Sequence, residues 1–343
     1  MTFRCTILGA SGMLIINLGG IGQPLSLLCK NCPLINHLSL YDIVNTPGLA
    51  LDLSHICTPS QVVGYLPSDN GLEKALTGAD IVVVAAGIPR KIKVLKYQDL
   101  FTTNSKIVYD LTIAIAKYSP TAFILVISNP INSIVPIVAE ILKSYKVLNP
   151  RKLFGVTTLD IVRLSKFVTD YVDTNLGPGH YSIPVVGGHS NLTIIPLISQ
   201  SYPRVELNEE QIESLVHRVQ YAGDDVVKAK DSNGSATLSM AYSAFVNIED
   251  MFFIFFRNLL TLLYAKIGVS GVVQCSYIYL PGVPGGDEVM KKANNLNFFA
   301  VPLILGVHGI EKVYPFDFVL EIEKQLLEDA LPEIKGSPIC FNI

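Results

Sequence analysis

The chain lacks the marks of several protein classes. No lysine- and arginine-rich run occurs in its 343 residues, and 26 basic against 29 acidic side chains leave a net charge of −3. A near-neutral chain of this kind argues against nucleic-acid binding. Charged residues are scarce at 16%, while hydrophobic ones reach 50%, a balance that excludes intrinsic disorder. Cysteine is sparse and scattered, at positions 5, 29, 32, 57, 275 and 340, so no disulfide framework is expected and a reducing compartment is. Cys29-Lys30-Asn31-Cys32 is a single C-x-x-C with no second pair and no obvious histidine partner, so no metal site is expected. A membrane-length apolar run is missing too. Mean hydropathy is high at +0.42, but the densest apolar stretch, residues 251–264, is interrupted by Arg257 and Asn258 and is too short to span a bilayer. Internal repeats and low-complexity tracts are absent. The glycines near the N-terminus fit a loop better than a signal peptide. Phe341-Asn342-Ile343 is not a peroxisomal ending. The expected location is the cytosol, with the peroxisome as the alternative if the native tail differs.

What is present points to an α/β enzyme. The length suits two domains at about 150 residues each. Short apolar runs at 3–8, 38–41, 81–86 and 122–127 alternate with helix-period segments at 23–29, 48–55 and 104–118. Such alternation predicts a doubly wound parallel sheet, whose ligands sit beyond the carboxyl ends of the strands. The second half is mixed α+β. It reads as strands at 183–186, 272–279 and 301–305, and helices at 209–228 and 316–331. The domains are placed at 1–147 and 148–343, with a weakly marked boundary near Asn149-Pro150.

The chemistry-bearing residues follow the strand ends. Gly9-Ala10-Ser11-Gly12 follows the first strand, and Gly19-Gly20-Ile21-Gly22 precedes the first helix. Glycines there let a backbone approach a pyrophosphate, which the helix N-terminus then favours. Asp42 ends the second apolar run, where a carboxylate can bind both hydroxyls of an adenosine ribose, so NAD is expected over NADP. Arg90 and Asn129 follow the third and fourth runs. Asp160 and Arg163 are three apart at a helix start, hence on one face. His189 follows a strand through Gly187-Gly188. A carboxylate can hold an imidazole in one tautomer, and an arginine can clamp a carboxylate. Met240 and Gly234-Ser235-Ala236 read as helix packing.

These motifs together resemble the NAD-dependent malate dehydrogenases of mitochondrial type, in a fungal or yeast-like form, within the lactate/malate dehydrogenase superfamily. The resemblance spans nearly the whole chain. It rests on Gly9-Ala10-Ser11-Gly12, Gly20-Ile21-Gly22-Gln23-Pro24, Ala86-Gly87-Ile88-Pro89-Arg90-Lys91, Ile127-Ser128-Asn129-Pro130, Gly155-Val156-Thr157-Thr158-Leu159-Asp160 and Gly187-Gly188-His189-Ser190. It implies an N-terminal Rossmann domain, a C-terminal α+β catalytic domain, NAD as cofactor and a dicarboxylate substrate, malate or oxaloacetate. His189 is implied as the acid/base and Asp160 as its partner. Arg163, Arg90, Lys96 and Asn129 are implied at the substrate. Gly9, Gly12, Gly20, Gly22, Asp42, Asn104, Asn129 and Met240 are implied at the cofactor. A homodimer with Asp52–His55 at its interface is also implied, with no membrane and no nucleic-acid partner.

Three departures stand out. Residues 13–19 interrupt a glycine loop that is contiguous in the family. Lys96 stands where the family's mobile loop carries a second arginine. Residues 247–262 are longer and more apolar than the family segment, and the tail after Lys335 departs from it. The stretches at 13–19 and around 249–262 read as retained intron sequence or another gene-model fault, with a divergent tail. The interrupted loop keeps a second reading open: a non-catalytic or impaired NAD-binding relative.

Overall fold

The computed structural model describes residues 2–12, 20–88, 97–172, 175–245, 259–269 and 272–337. Eleven strands among them form one sheet. In chain order these are β1 (Phe3–Leu8), β2 (Ile35–Tyr41), β3 (Gln61–Tyr65), β4 (Ile81–Val84), β5 (Phe123–Val126), β6 (Leu153–Gly155), β7 (Val185–Gly187), β8 (Ile194–Pro196), β9 (Val272–Tyr279), β10 (Phe298–Gly306) and β11 (Gly309–Val313). The helices are α1 (Gly22–Asn31), α2 (Thr46–Ser54), α3 (Gly71–Leu76), α4 (Tyr97–Tyr118), α5 (Ile131–Ser144), α6 (Thr158–Val168), α7 (Glu209–Ala229), α8 (Leu238–Phe245), α9 (Leu259–Lys266), α10 (Gly286–Lys292) and α11 (Glu321–Gly336).

The first half of the sheet runs β3-β2-β1-β4-β5-β6, all parallel. Residues of β4 (IVVV) and β5 (FILV) are buried throughout, as strands covered on both faces must be. The chain reverses its direction of travel across the sheet between β1 and β4. That switch point leaves a crevice at the carboxyl edge, the general ligand position of such folds. The second half continues the same sheet with antiparallel partners: β9 pairs β6 and β10, and β10 pairs β7 and β11.

Several elements differ from the sequence expectation for identifiable reasons. Helix α5 differs from the sequence expectation because Pro136 sits inside it, a residue that ordinarily ends or kinks a helix. Short β3 and β6 gain their pairing from neighbours rather than from their own pattern. The last helix starts at Glu321, not near 316. Phe316 and Phe318 instead pack edge to face with centroids 5.9 Å apart, and the buried Glu323 carboxylate accepts from the N–H groups of Val319 and Leu320 and from Ser199. Gly234, Ser235 and Ala236 precede α8 instead of packing within a helix, with Gly234 at φ +151°. Most of residues 251–264 lies outside the described residues, although Leu262 and Leu263 of α9 are fully buried. No helix among the described residues is long and apolar enough to cross a membrane.

Candidate active site

The glycine loop forms at the end of β1. Gly9 adopts φ +89°, and a Cβ there would sit 2.5 Å from the Cα of Ala86 at the end of β4. Gly22 opens α1, and a Cβ on it would meet the carbonyl oxygens of Gly9 and Ala10 at 2.2 and 2.4 Å. Only glycine lets the helix N-terminus come this close to the strand, the geometry that aims helix amides at a phosphate. The interruption does not separate these parts. A Cβ on Gly12 would lie 2.6 Å from the Cα of Gly20, so the two α-carbons are at most about 4 Å apart, close to the spacing of adjacent residues. Gly12 and Gly20, the described residues on either side of the interruption, therefore meet at one point of the loop.

Asp42, just beyond β2, ties the loop down. Its Oδ2 accepts from the Ser11 N–H (2.9 Å), the Ser11 hydroxyl (2.9 Å) and the Gly12 N–H (3.2 Å), while Oδ1 accepts from Ile43 N–H at 2.7 Å. Gln23 donates to the Ser11 carbonyl at 2.7 Å. The cradle that a Cβ would fill, the helix N-terminus and the carboxylate at the neighbouring strand end together fit a dinucleotide.

The second cluster centres on Asp160, fully buried in the first turn of α6, where a carboxylate also favours the helix dipole. Its Oδ2 lies 2.6 Å from His189 Nδ1, and its Oδ1 lies 3.6 Å from Arg163 Nη1. A carboxylate only accepts, so Nδ1 carries the proton and Nε2 is left for proton exchange. Burial pulls the Arg163 guanidinium below its ordinary value, and Asp160 partly offsets this. His189 reaches the cluster through two glycines. Gly187 sits at φ +99°, where a Cβ would strike the Thr193 carbonyl at 2.2 Å, and Gly188 N–H donates to that carbonyl at 2.7 Å.

Asn104 and Asn129 meet between these clusters. Asn104 Oδ1 accepts from Ile88 N–H at 2.8 Å, and its Nδ2 donates to the Asn129 carbonyl at 2.7 Å. The Asn104 amide thus fastens two strand-end loops together, while Asn129 is exposed at the carboxyl edge. Met240 is buried in the core on α8. Arg90 and Lys96 lie outside the described residues. One residue that sequence reasoning passed over is Asn132, whose side chain meets the His189 loop. An amide three residues after Asn129, in the first turn of α5, was its only signal.

Fold and site together define a dinucleotide-dependent dehydrogenase. Family models for the lactate/malate dehydrogenase NAD binding domain and alpha/beta C-terminal domain match residues 4–155 and 157–338. The mitochondrial malate dehydrogenases of Bos taurus and Homo sapiens are each 46% identical over 334 residues, covering 97% of this chain and 89% of those proteins. Among solved structures, malate dehydrogenase from Cryptosporidium parvum has a TM-score of 0.76 at 26% identity, covering 98% of each chain. Lactate dehydrogenase from Eimeria maxima, solved with NADH and oxamate, has a TM-score of 0.75 at 26% identity, over 98% of this chain and 93% of that one. The chain belongs to the lactate/malate dehydrogenase family and is an NAD-dependent oxidoreductase.

Proposed function

We propose that the chain interconverts (S)-malate and oxaloacetate. The observation that carries this reading is the 2.6 Å contact between His189 Nδ1 and the buried Asp160, with Arg163 on the other oxygen of the same carboxylate. NAD would supply the hydride acceptor for the carbinol carbon. Its pyrophosphate would be held at Gly9, Gly12, Gly20 and Gly22, and its ribose at Asp42. Ribose hydroxyls would take over from Ser11 on that carboxylate, which also repels a 2′-phosphate. Asn104, Asn129 and Met240 complete the cofactor side.

The substrate hydroxyl gives its proton to His189 Nε2, and Asp160 stabilises the imidazolium that results. Arg163 pairs with the C1 carboxylate and Arg90 with the distal one, assisted by Lys96 and Asn129. The malate dehydrogenases of Bos taurus and Homo sapiens support the dicarboxylate choice through their identity to this chain. Residues 1–147 would hold the cofactor and 148–343 the acid/base and C1 clamp.

The same reading includes a homodimer. Helix α1 packs against α2 and α8, and Leu27, Leu51, Leu238 and Tyr242 on these helices are exposed, as an unpaired interface would leave them. For compartment, the sequence reading favours the cytosol, whereas the relatives are named mitochondrial; fractionation of the native cells decides between them.

The test is NADH oxidation by the purified chain with oxaloacetate and pyruvate in parallel. Oxaloacetate should be strongly preferred. Arg90→Gln should shift that preference toward pyruvate by about 10–150-fold, the worth of one charge-assisted pair. A parent chain that folds but turns over neither substrate contradicts the reading.

A further inference from the structure

Asn132 belongs to neither the glycine loop nor the histidine pair. Its side chain is buried at 2% exposure in the first turn of α5, and a buried amide is costly unless its hydrogen bonds are met. The His189 loop meets them. Asn132 Oδ1 accepts from His189 N–H at 2.9 Å, and Nδ2 donates to Ser190 Oγ at 3.1 Å and Thr193 Oγ1 at 3.3 Å. The loop is shaped to admit this amide, because a Cβ on Gly188 would lie 2.7 Å from Nδ2 and 2.8 Å from Oδ1. Ser190 and Thr193 then lock the loop on themselves, with Thr193 Oγ1 accepting from Ser190 N–H at 2.9 Å and donating to the Ser190 carbonyl at 2.7 Å.

We propose that Asn132 is a positioning residue for His189, fixing its main chain so that Asp160 can fix its ring. The inference rests on the reading of His189 as the acid/base. It adds a mechanical link. Asn132 lies three residues after Asn129, so the turn on the cofactor side and the acid/base share one short rigid segment. A ring held at 2.6 Å leaves little slack, and a displacement of about 1 Å at a reacting group costs about 10²-fold in rate. The charged groups around the histidine, among the described residues, are Asp160 and Arg163 on α6 and Glu333 on α11. Glu333 Oε1 is 3.4 Å from Ser190 Oγ. None of them changes in an Asn132 variant.

The experiment compares Asn132→Ala and Asn132→Asp by steady-state kinetics and by the proton NMR signal of the His189 Nδ1–H in the same proteins. Asn132→Ala should lower kcat about 10²-fold with KM for oxaloacetate within about threefold, and should move the Nδ1–H signal upfield as the Asp160 contact loosens. Asn132→Asp keeps an acceptor for His189 N–H, so it should recover most of kcat and return the Nδ1–H signal toward its parent position. If the alanine variant fails to fold, Asn132→Ser takes the same two readouts. An unmoved Nδ1–H signal in the folded alanine or serine variant overturns the proposal, whatever happens to kcat. If the parent chain shows no oxaloacetate turnover, a displaced Nδ1–H signal still supports the positioning role while the malate reading falls.

Discussion

At the scale of single residues, chemistry here is set by which groups are hidden and which are paired. Asp160 is fully buried yet bordered by His189 and Arg163, so its charge is compensated within the site. The cysteines show the opposite case. Cys5, Cys29, Cys32 and Cys275 are buried and Cys57 is exposed. Burial raises the Cys275 thiol to about 12 and pushes Cys29 well up, with Cys5 adding to the rise. Thiolate is the reactive form, so alkylation at pH 8 followed by peptide mapping should label Cys57 and spare the four buried thiols until urea is added. Label on Cys29 or Cys32 in the native protein would contradict this. The same shifts carry a pH dependence. A thiol whose folded value is raised contributes stability that is complete below the unfolded value, about 8.5, and is lost as pH climbs toward the folded one. Melting temperature should therefore fall between pH 8 and pH 11, and Cys275→Ala should soften that fall; a flat profile contradicts it.

At the scale of elements, the glycine loop decides whether the interruption matters. Gly12 and Gly20 meet at nearly the spacing of bonded neighbours, so joining them directly asks little of β1 or α1. Deletion of residues 13–19 should leave the fold intact, with melting temperature equal or higher, since a shorter loop loses less entropy. KM for NADH should be unchanged or lower. A deletion variant that cannot fold would refute the closure. Gly22 permits no such freedom, because its Cβ would meet two carbonyl oxygens; Gly22→Ala should cost about 1–3 kcal/mol, the usual range for overpacking, measurable by urea unfolding. Legibility in sequence followed the same physics. The strands β1, β4 and β5 and the helix α7 announced themselves by apolar run or helical period. So did Asp160 and Arg163, by their spacing of three. Helix α5 stayed hidden because Pro136 inside it reads as a breaker, and Asn132 with it, since its role depends on a loop more than fifty residues away. The meeting of Gly12 with Gly20 is a fact of closure in space that no local pattern carries.

At the scale of the whole molecule, one sheet runs through both halves. The crossing is made where Gly155 pairs Tyr277, and Ser276 donates its hydroxyl to the Gly155 carbonyl at 2.7 Å. Lys266 adds a second tie, reaching Asp80 at 3.1 Å beside the Phe3 and Phe123 rings. Two functional halves built on one sheet should unfold together. Calorimetry should show a single transition that NADH moves upward, and two resolved transitions would argue against this unity. In solution, light scattering should give twice the chain mass of 37.4 kDa, and Leu51→Asp should reduce it to one chain. A parent protein that is monomeric would remove the proposed interface.

His189, held by Asp160, is proposed to move the substrate proton. The most direct measurement is the pH dependence of kcat/KM in both directions, for the parent chain and Asp160→Asn. Oxaloacetate reduction needs the protonated imidazole and should fall as pH rises, while malate oxidation needs the neutral ring and should rise. Asp160→Asn should lower both by about 10²–10⁴-fold, the usual worth of a positioned acid/base. Parallel or flat profiles, or an Asp160→Asn variant with full activity, would contradict the account.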